Sequence, residues 1–325
     1  MLKIEAHPQT LPGEGRLNVE NSIINFQSSI FFNLQSSSIF NLSLKYMHNG
    51  SLQTTKKTSR IWKMVALAII VTLYSYGLCS CGVGSKKDDE HKMLVNIERY
   101  DRLEYRYLTT GDFSALQEMN TEFPIETRML IEDILKLGEA TDPEINAKFL
   151  KYYQDTTLQT LLADSQAKFA NMEDINRKFN DAFTKLKKWF PDMVLPRIYT
   201  QVTSLDQSIV IGNHSIGISL DKYLGANYPL YEKMGYNDNQ RKQMERKYIL
   251  PDGILFYLLS YYHLPSFDTC PQEERDIHLG KMQWIVNHAI GTNFYKNKYV
   301  AEVDNFMKRN PKTSYDELIR LSKIK

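Results

Sequence analysis

The 325-residue chain predicts an α+β fold: a single, mostly helical domain with a small central antiparallel sheet. Three observations carry this. Met172–Phe190 repeats apolar residues at helical spacing, Arg197–Leu220 gathers short β-branched runs between turn residues, and the chain from Ile254 onward returns to helical spacing. With 42% hydrophobic and 24% charged residues and only 15 Gly and 11 Pro, the composition is that of a folded globular protein. Collagen-like, low-complexity and wholly disordered readings are excluded. No internal repeat is evident, and residues 93–325 suffice to bury one sizeable core.

The elements follow in order. Leu94–Arg102 (LVNIERYDR) alternates roughly between apolar and polar residues and reads as a short strand. Asp112–Met119 and Pro124–Leu137 read as helices, the second with Met129, Ile131, Ile134 and Leu135 as its buried stripe. Asp142-Pro143 supplies an N-cap and a first-turn proline to a helix bearing Ile145, Phe149 and Tyr152-Tyr153. The strongest helix is Met172–Phe190, where Ile175, Phe179, Phe183, Leu186 and Phe190 share one face that Ala182 and Trp189 widen. Such a face is core rather than a cofactor box. Pro191 and Pro196 end it.

Arg197–Thr203, Ser208–Gly212 and Ser215–Leu220 are short and β-branched, with turn residues between them, and predict an antiparallel meander or hairpin. A polar, basic helix is expected around Asn239–Tyr248, and Pro251-Asp252-Gly253 opens an apolar helix, Ile254–Tyr262. Helices over Glu273–Gly291 and Val300–Arg309 follow. Ser314 and Glu317 form the capping box of a last one.

Motifs of familiar chemistry are missing. No histidine opens an HExxH, and there is no Cys-x-x-Cys, GxSxG, Walker loop or GxGxxG, so neither a catalytic site nor a metal or cofactor site is assigned. His263, His278 and His288 would have to converge in space to bind a metal, and scattered histidines are more often satisfied or exposed ones. A carboxylate pair of the glycosidase kind leaves no local signature, so a peptide or glycan hydrolase stays open as an alternative. Of the 20 tyrosines, several cluster in Tyr223–Tyr236 and Tyr257–Tyr262. A tyrosine offers a flat apolar face and a hydroxyl tip, suited to sugars and protein interfaces as well as to the rim of a core.

The most specific signal lies between Lys56 and Cys81. Lys56, Lys57, Arg60 and Lys63 form a basic flank, and Met64–Leu78 is an uncharged apolar run of 15 residues. That is short for a hydrocarbon core of ~30 Å and right for a signal-peptide core. The run ends in Leu78-Cys79-Ser80-Cys81-Gly82, which resembles a lipobox, with a branched apolar residue three places before the cysteine and a small one immediately before it. The resemblance implies cleavage before Cys81 and a diacylglycerol and an N-acyl chain on it, each chain contributing ~0.8 kcal/mol per buried methylene. Cys79, with Tyr76 and Leu78 in those places, fits poorly.

On this reading residues 1–46 are an N-terminal extension upstream of a true start at Met47, and 47–80 are the signal peptide. Residues 81–92 form a flexible tether, and 93–325 the folded domain. Peptide mapping of the unprocessed precursor tests the start, because any peptide from residues 1–46 would overturn it. The mature chain keeps only Cys81 and Cys270, so it forms no internal disulfide. Residues 1–80 hold seven Lys/Arg and three Glu, a net of +4, which leaves 33 basic and 35 acidic residues, a net of −2, in the rest. A nearly neutral mature chain argues against a nucleic-acid partner, since phosphate neutralisation needs a basic face.

Several segments in a fixed order are similar to the gliding-motility lipoproteins of the GldB type found in Bacteroidota. They are the lipobox, Val95–Asp101 (VNIERYD), Lys188–Asp192 (KWFPD), Pro196–Thr200 (PRIYT), Ile216–Gly225 (IGISLDKYLG) and Tyr228–Tyr231 (YPLY). The resemblance implies a lipid-anchored outer-membrane component of a gliding or secretion apparatus, facing the periplasm or the cell surface. It implies envelope proteins as partners and no assigned reaction; a surface glycan-binding lipoprotein is a further alternative. The candidate interaction patch is Asp221, Tyr223, Gly225, Tyr228 and Tyr231, with Asp221 expected either to cap the turn after its strand or to face a partner. The order helix–sheet–helix also resembles zinc metallopeptidases at a distance, without a ligand pair on Ile254–Tyr262.

Overall fold

The computed structural model describes residues 93–264, 267–321 and 324; the leader, the tether and Cys81 lie outside them. After a two-residue strand β1 (Ile97–Glu98), the chain enters a helical layer of α1 (Tyr100–Thr110), α2 (Phe113–Glu122), α3 (Pro124–Met129), α4 (Ile145–Tyr152), α5 (Thr156–Lys168) and α6 (Glu173–Trp189). The stretch expected to be one strand is thus mostly helix, because Tyr100, Leu103, Tyr107 and Leu108 fall on one helical face and are all buried. Gly111 ends α1 in the left-handed conformation (φ 71°), donating its N–H to the Tyr107 carbonyl. Asp112 caps α2 and Asp155 caps α5, each carboxylate accepting two backbone N–H groups. The expected helix from Pro124 continues beyond α3 as a π-helical turn, Leu130–Ile134, that buries Leu130, Ile131 and Ile134.

On α6 the expected face is present: Ile175, Phe179, Ala182, Phe183 and Leu186 are buried. Phe179 and Phe183 stack at 6.3 Å. The sheet comes next, with β2 (Arg197–Gln201), β3 (Ile209–Gly212) and β4 (Ser215–Ser219). Its order is β1-β2-β4-β3. The hairpin β3–β4 is antiparallel, as expected, and turns at Asn213-His214 with His214 at φ 56°.

The meander is otherwise corrected, because β2 pairs parallel with both β1 (Ile97↔Ile198) and β4 (Ile198↔Ile216), making a mixed sheet. The loop after β2 carries the chain past the position of β4 and leaves β3 at the edge, so β4 returns beside β2 in the same direction. One sheet face is a row of isoleucines (Ile97, Ile198, Ile216, Ile211). The other is polar and small (Tyr199, Gln201, Ser215, Gly217, Ser219), and both are buried.

The second helical layer holds α7 (Pro229–Lys233), α8 (Asp238–Arg241), α9 (Ile249–Tyr261), α10 (Gln272–Ile290), α11 (Lys298–Arg309) and α12 (Tyr315–Arg320). The basic helix expected over Asn239–Tyr248 is instead α8 and a 3-10 turn, Arg246–Tyr248, separated by a turn at Lys242–Gln243. Apolar α9 runs under the isoleucine face. A Cβ at Gly253 would lie 2.8 Å from the Phe179 ring and 3.8 Å from Ile216, so the glycine lets α9 meet α6 and the sheet at once. The Ser314–Glu317 capping box on α12 forms as expected. No helix among the described residues is long and apolar enough to cross a membrane.

Candidate functional site

Three parallel strands, β1, β2 and β4, end at one edge of the sheet, and the chain leaving two of them brings buried carboxylates there. In open parallel sheets the carboxyl edge is where ligands gather, so its chemistry is the first to inspect. Asp101 and Glu104 stand in the first turns of α1 after β1, three residues apart and therefore on one helical face. Asp221 follows β4 in a 3-10 turn, Leu220–Tyr223. Between them lies the loop after β2, Val202–Ser208. All three acids are fully buried.

Each carboxylate is turned onto protein. Asp101 takes a two-pronged ion pair from Arg99 (2.8 Å at both oxygens). It also accepts from Gln166 Nε2 at 2.7 Å and from the Thr200 hydroxyl. Glu104 accepts the Val202 N–H at 2.8 Å. Asp221 accepts Leu205 N–H at 2.6 Å and Thr203 N–H at 3.2 Å, so it holds the loop after β2 and does not cap the turn after its own strand. The loop's carbonyls are held as well: Tyr153 OH donates to Val202 O at 2.8 Å, and Tyr236 OH to Leu205 O at 2.9 Å.

These contacts fix a strained backbone. Ser204 and Leu205 are consecutive non-glycine residues in the left-handed region, at φ 55° and 66°, a conformation costing ~1–2 kcal/mol per residue. Burial pushes the Glu104 carboxyl well above the usual carboxylate range, and the charges of Asp101 and Asp221 add to the push. Burial raises Asp221 to about 6, against the pull of the Leu205 and Thr203 N–H groups.

The polar sheet face forms the floor beneath. Tyr199 OH, both ends of the Gln201 amide and Ser219 Oγ are buried without a hydrogen-bond partner among the described residues, as is Glu104 Oε1. A Cβ on Gly217 would sit 2.6 Å from Tyr199 OH, so only glycine leaves room for that ring.

The five residues of the expected patch divide. Asp221, Tyr223 and Tyr231 are buried, whereas Gly225 and Tyr228 are partly exposed. Tyr231 OH donates to the Asp221 carbonyl at 2.6 Å and accepts Leu224 N–H at 2.8 Å, stitching the segment to itself. Tyr228 OH donates to Asp164 at 2.8 Å. Three of the five thus hold the segment in place and present no surface to a partner. Gly225, at φ 118°, opens to empty space.

Tyr223 also leads to a second feature. Its hydroxyl donates to Asp252 at 2.9 Å, and Tyr295 OH donates to the same carboxyl at 3.4 Å. Burial raises Asp252 to about 7, while the two hydroxyls pull the other way. Tyr295 belongs to the α10–α11 connection, which borders a cleft of about 800 Å³. Asn287 builds that connection: its Oδ1 accepts Phe294 N–H and Tyr295 N–H (3.0 and 2.9 Å), and its Nδ2 donates to Tyr295 O and Asn293 Oδ1.

The three histidines considered for metal binding do not make a ligand set. His288 is exposed and lies over Trp284 (3.8 Å between centroids), and His278 is buried. No group of three or more His, Cys, Asp or Glu among the described residues is placed to hold a metal. Cys270 is buried, its thiol directed to the Phe267 carbonyl at 3.7 Å. Asp101 and Glu104 had a readable signal, two acids three apart in ERYDRLEYRY, which is hidden once that stretch is taken as a strand. The amide-rich GTNFYKNK after α10 marks the cleft in the same way.

A family model described as gliding motility protein GldB matches residues 84–298. No curated protein and no solved structure matches the chain.

Proposed function

The chain belongs to the gliding motility protein GldB family, and on that premise we propose that it is a lipid-anchored, non-catalytic lipoprotein of the outer membrane. It serves as a component or assembly factor of a gliding or secretion-type envelope complex, with diacylglycerol and an N-acyl chain on Cys81 as its membrane link. The observation that carries the reading is the position of the family match. It begins at Gly84, three residues past the cysteine of the lipobox-like segment, which supports a lipid anchor immediately before the family region. The carboxyl edge supports the non-catalytic part, because both oxygens of Asp101 and of Asp221 are engaged with backbone and neighbouring side chains. Function on this reading lies in contacts made at the membrane.

Cross-linking in native membranes tests it. The tagged chain should retain a constant set of envelope proteins that are lost from a Cys81→Ser variant. Identical recoveries from the two chains would contradict it.

A further inference from the structure

We propose that the cleft between α10 and α11 binds an anionic saccharide, a sugar bearing a phosphate or a carboxylate. The cleft holds about 800 Å³, the size range of small-molecule sites. Its chemistry emerges by subtracting the groups the fold already uses. Asn287 is filled by four hydrogen bonds within the wall. Asn297 Oδ1 caps α11 through Tyr299 and Val300 N–H, and its Nδ2 donates to Gln283. Asp304, the carboxylate on this wall, accepts Trp284 Nε1 at 3.3 Å and pairs with Lys308 at 2.6 Å.

What faces the cavity after that subtraction is cationic or donating. Lys296 and Lys298 line it and are exposed, the Lys298 ammonium lying 4.5 Å over the Tyr299 ring. Lys185 Nζ spends a donor on the Ala289 carbonyl at 2.9 Å and, 3.6 Å from where a Cβ on Gly291 would be, adds charge beside the cleft without lining it. His288 uses Nδ1 on the Trp284 carbonyl at 2.8 Å, which leaves Nε2 on the exposed side of its ring. Cations attract the charge, the exposed imidazole offers a flat face for a sugar ring, and Thr292 and Asn293 supply hydroxyl and amide partners.

The test titrates the detergent-solubilised full chain with N-acetylmuramic acid, N-acetylglucosamine 1-phosphate, uncharged N-acetylglucosamine and inorganic phosphate, by calorimetry and tryptophan fluorescence. At least one charged sugar should bind tenfold or more tightly than both the uncharged sugar and inorganic phosphate, and lose affinity as salt rises. The exposed double variant Lys296→Gln/Lys298→Gln should cost about tenfold with an unchanged melting temperature, and His288→Ala severalfold. A parallel arm uses phosphatidylcholine vesicles with and without a phosphorylated glycolipid. Affinity for the free charged sugars assigns a soluble glycan, and retention only on the glycolipid vesicles assigns a lipid headgroup. Equal affinity for neutral and charged sugars, equal affinity for inorganic phosphate, undiminished binding by the double variant, or no binding in either arm would overturn the proposal.

Discussion

The carboxyl edge of the sheet and the α10–α11 cleft are both built from polar side chains, and they use them in opposite directions. At the edge, three buried acids point at backbone N–H groups, an arginine and neighbouring side chains. At the cleft, one asparagine organises the wall from behind while lysines and a histidine face outward. A buried acid aimed at backbone determines the shape of a loop; a cation on an open wall can meet a ligand. Most of the patch expected from the sequence, Asp221, Tyr223 and Tyr231, is therefore internal scaffold, and the open cationic surface lies elsewhere.

The largest effect should come from removing the acid that holds the loop after β2. Asp221→Ala leaves the Thr203 and Leu205 N–H groups buried without an acceptor, and should destabilise the protein by ~2–4 kcal/mol. Calorimetric melting checks this, and a shift within error would return Asp221 to the role of a surface contact. Asp221→Asn, which keeps one acceptor oxygen, should recover part of the loss.

Next comes pH. The folded protein holds protons on Asp221 up to about pH 6 and on Asp252 up to about pH 7, whereas an unfolded aspartate releases its proton near 4. Between those values the native state binds more protons, so stability should fall as pH rises from ~4 to ~7. Asp252→Asn should flatten the upper part of that slope by ~2 kcal/mol while Tyr223 and Tyr295 keep a partner. Denaturant unfolding at several pH values measures it, and an identical slope in the variant would show that Asp252 titrates as if exposed.

A smaller loss, ~1–3 kcal/mol, is expected for Asn287→Ala, which frees two backbone N–H groups in the cleft wall. That variant sharpens the comparison, since it should weaken sugar binding and stability together. Lys296→Gln/Lys298→Gln should alter stability by less than ~0.5 kcal/mol and affect binding alone.

Much of the helical layer was legible because its signals are local. The stripe on α6, the Asp112 cap and the Ser314–Glu317 box need no distant partner to be recognised. The sheet was legible only in its hairpin. Parallel pairing of Ile97 with Ile198 joins segments with six helices between them, and nothing in either segment names the other. The carboxyl edge was half legible. Asp221 could be read as an internal acid but not as the holder of the loop after β2, and its counterparts Asp101 and Glu104 sit in a stretch whose first residues alternate like a strand before burial of Tyr100, Leu103 and Tyr107 makes it a helix. The aromatic runs are core and stitching more than surface, because Tyr223 and Tyr231 hydroxyls find partners indoors.

The central claim is that this domain acts from a membrane through Cys81, and mass spectrometry of the mature N-terminus tests it most directly. The account predicts a chain beginning at Cys81 with diacylglycerol and an N-acyl group, abolished by Cys81→Ser. An unmodified peptide running through Leu78–Gly82 in the mature protein would contradict it.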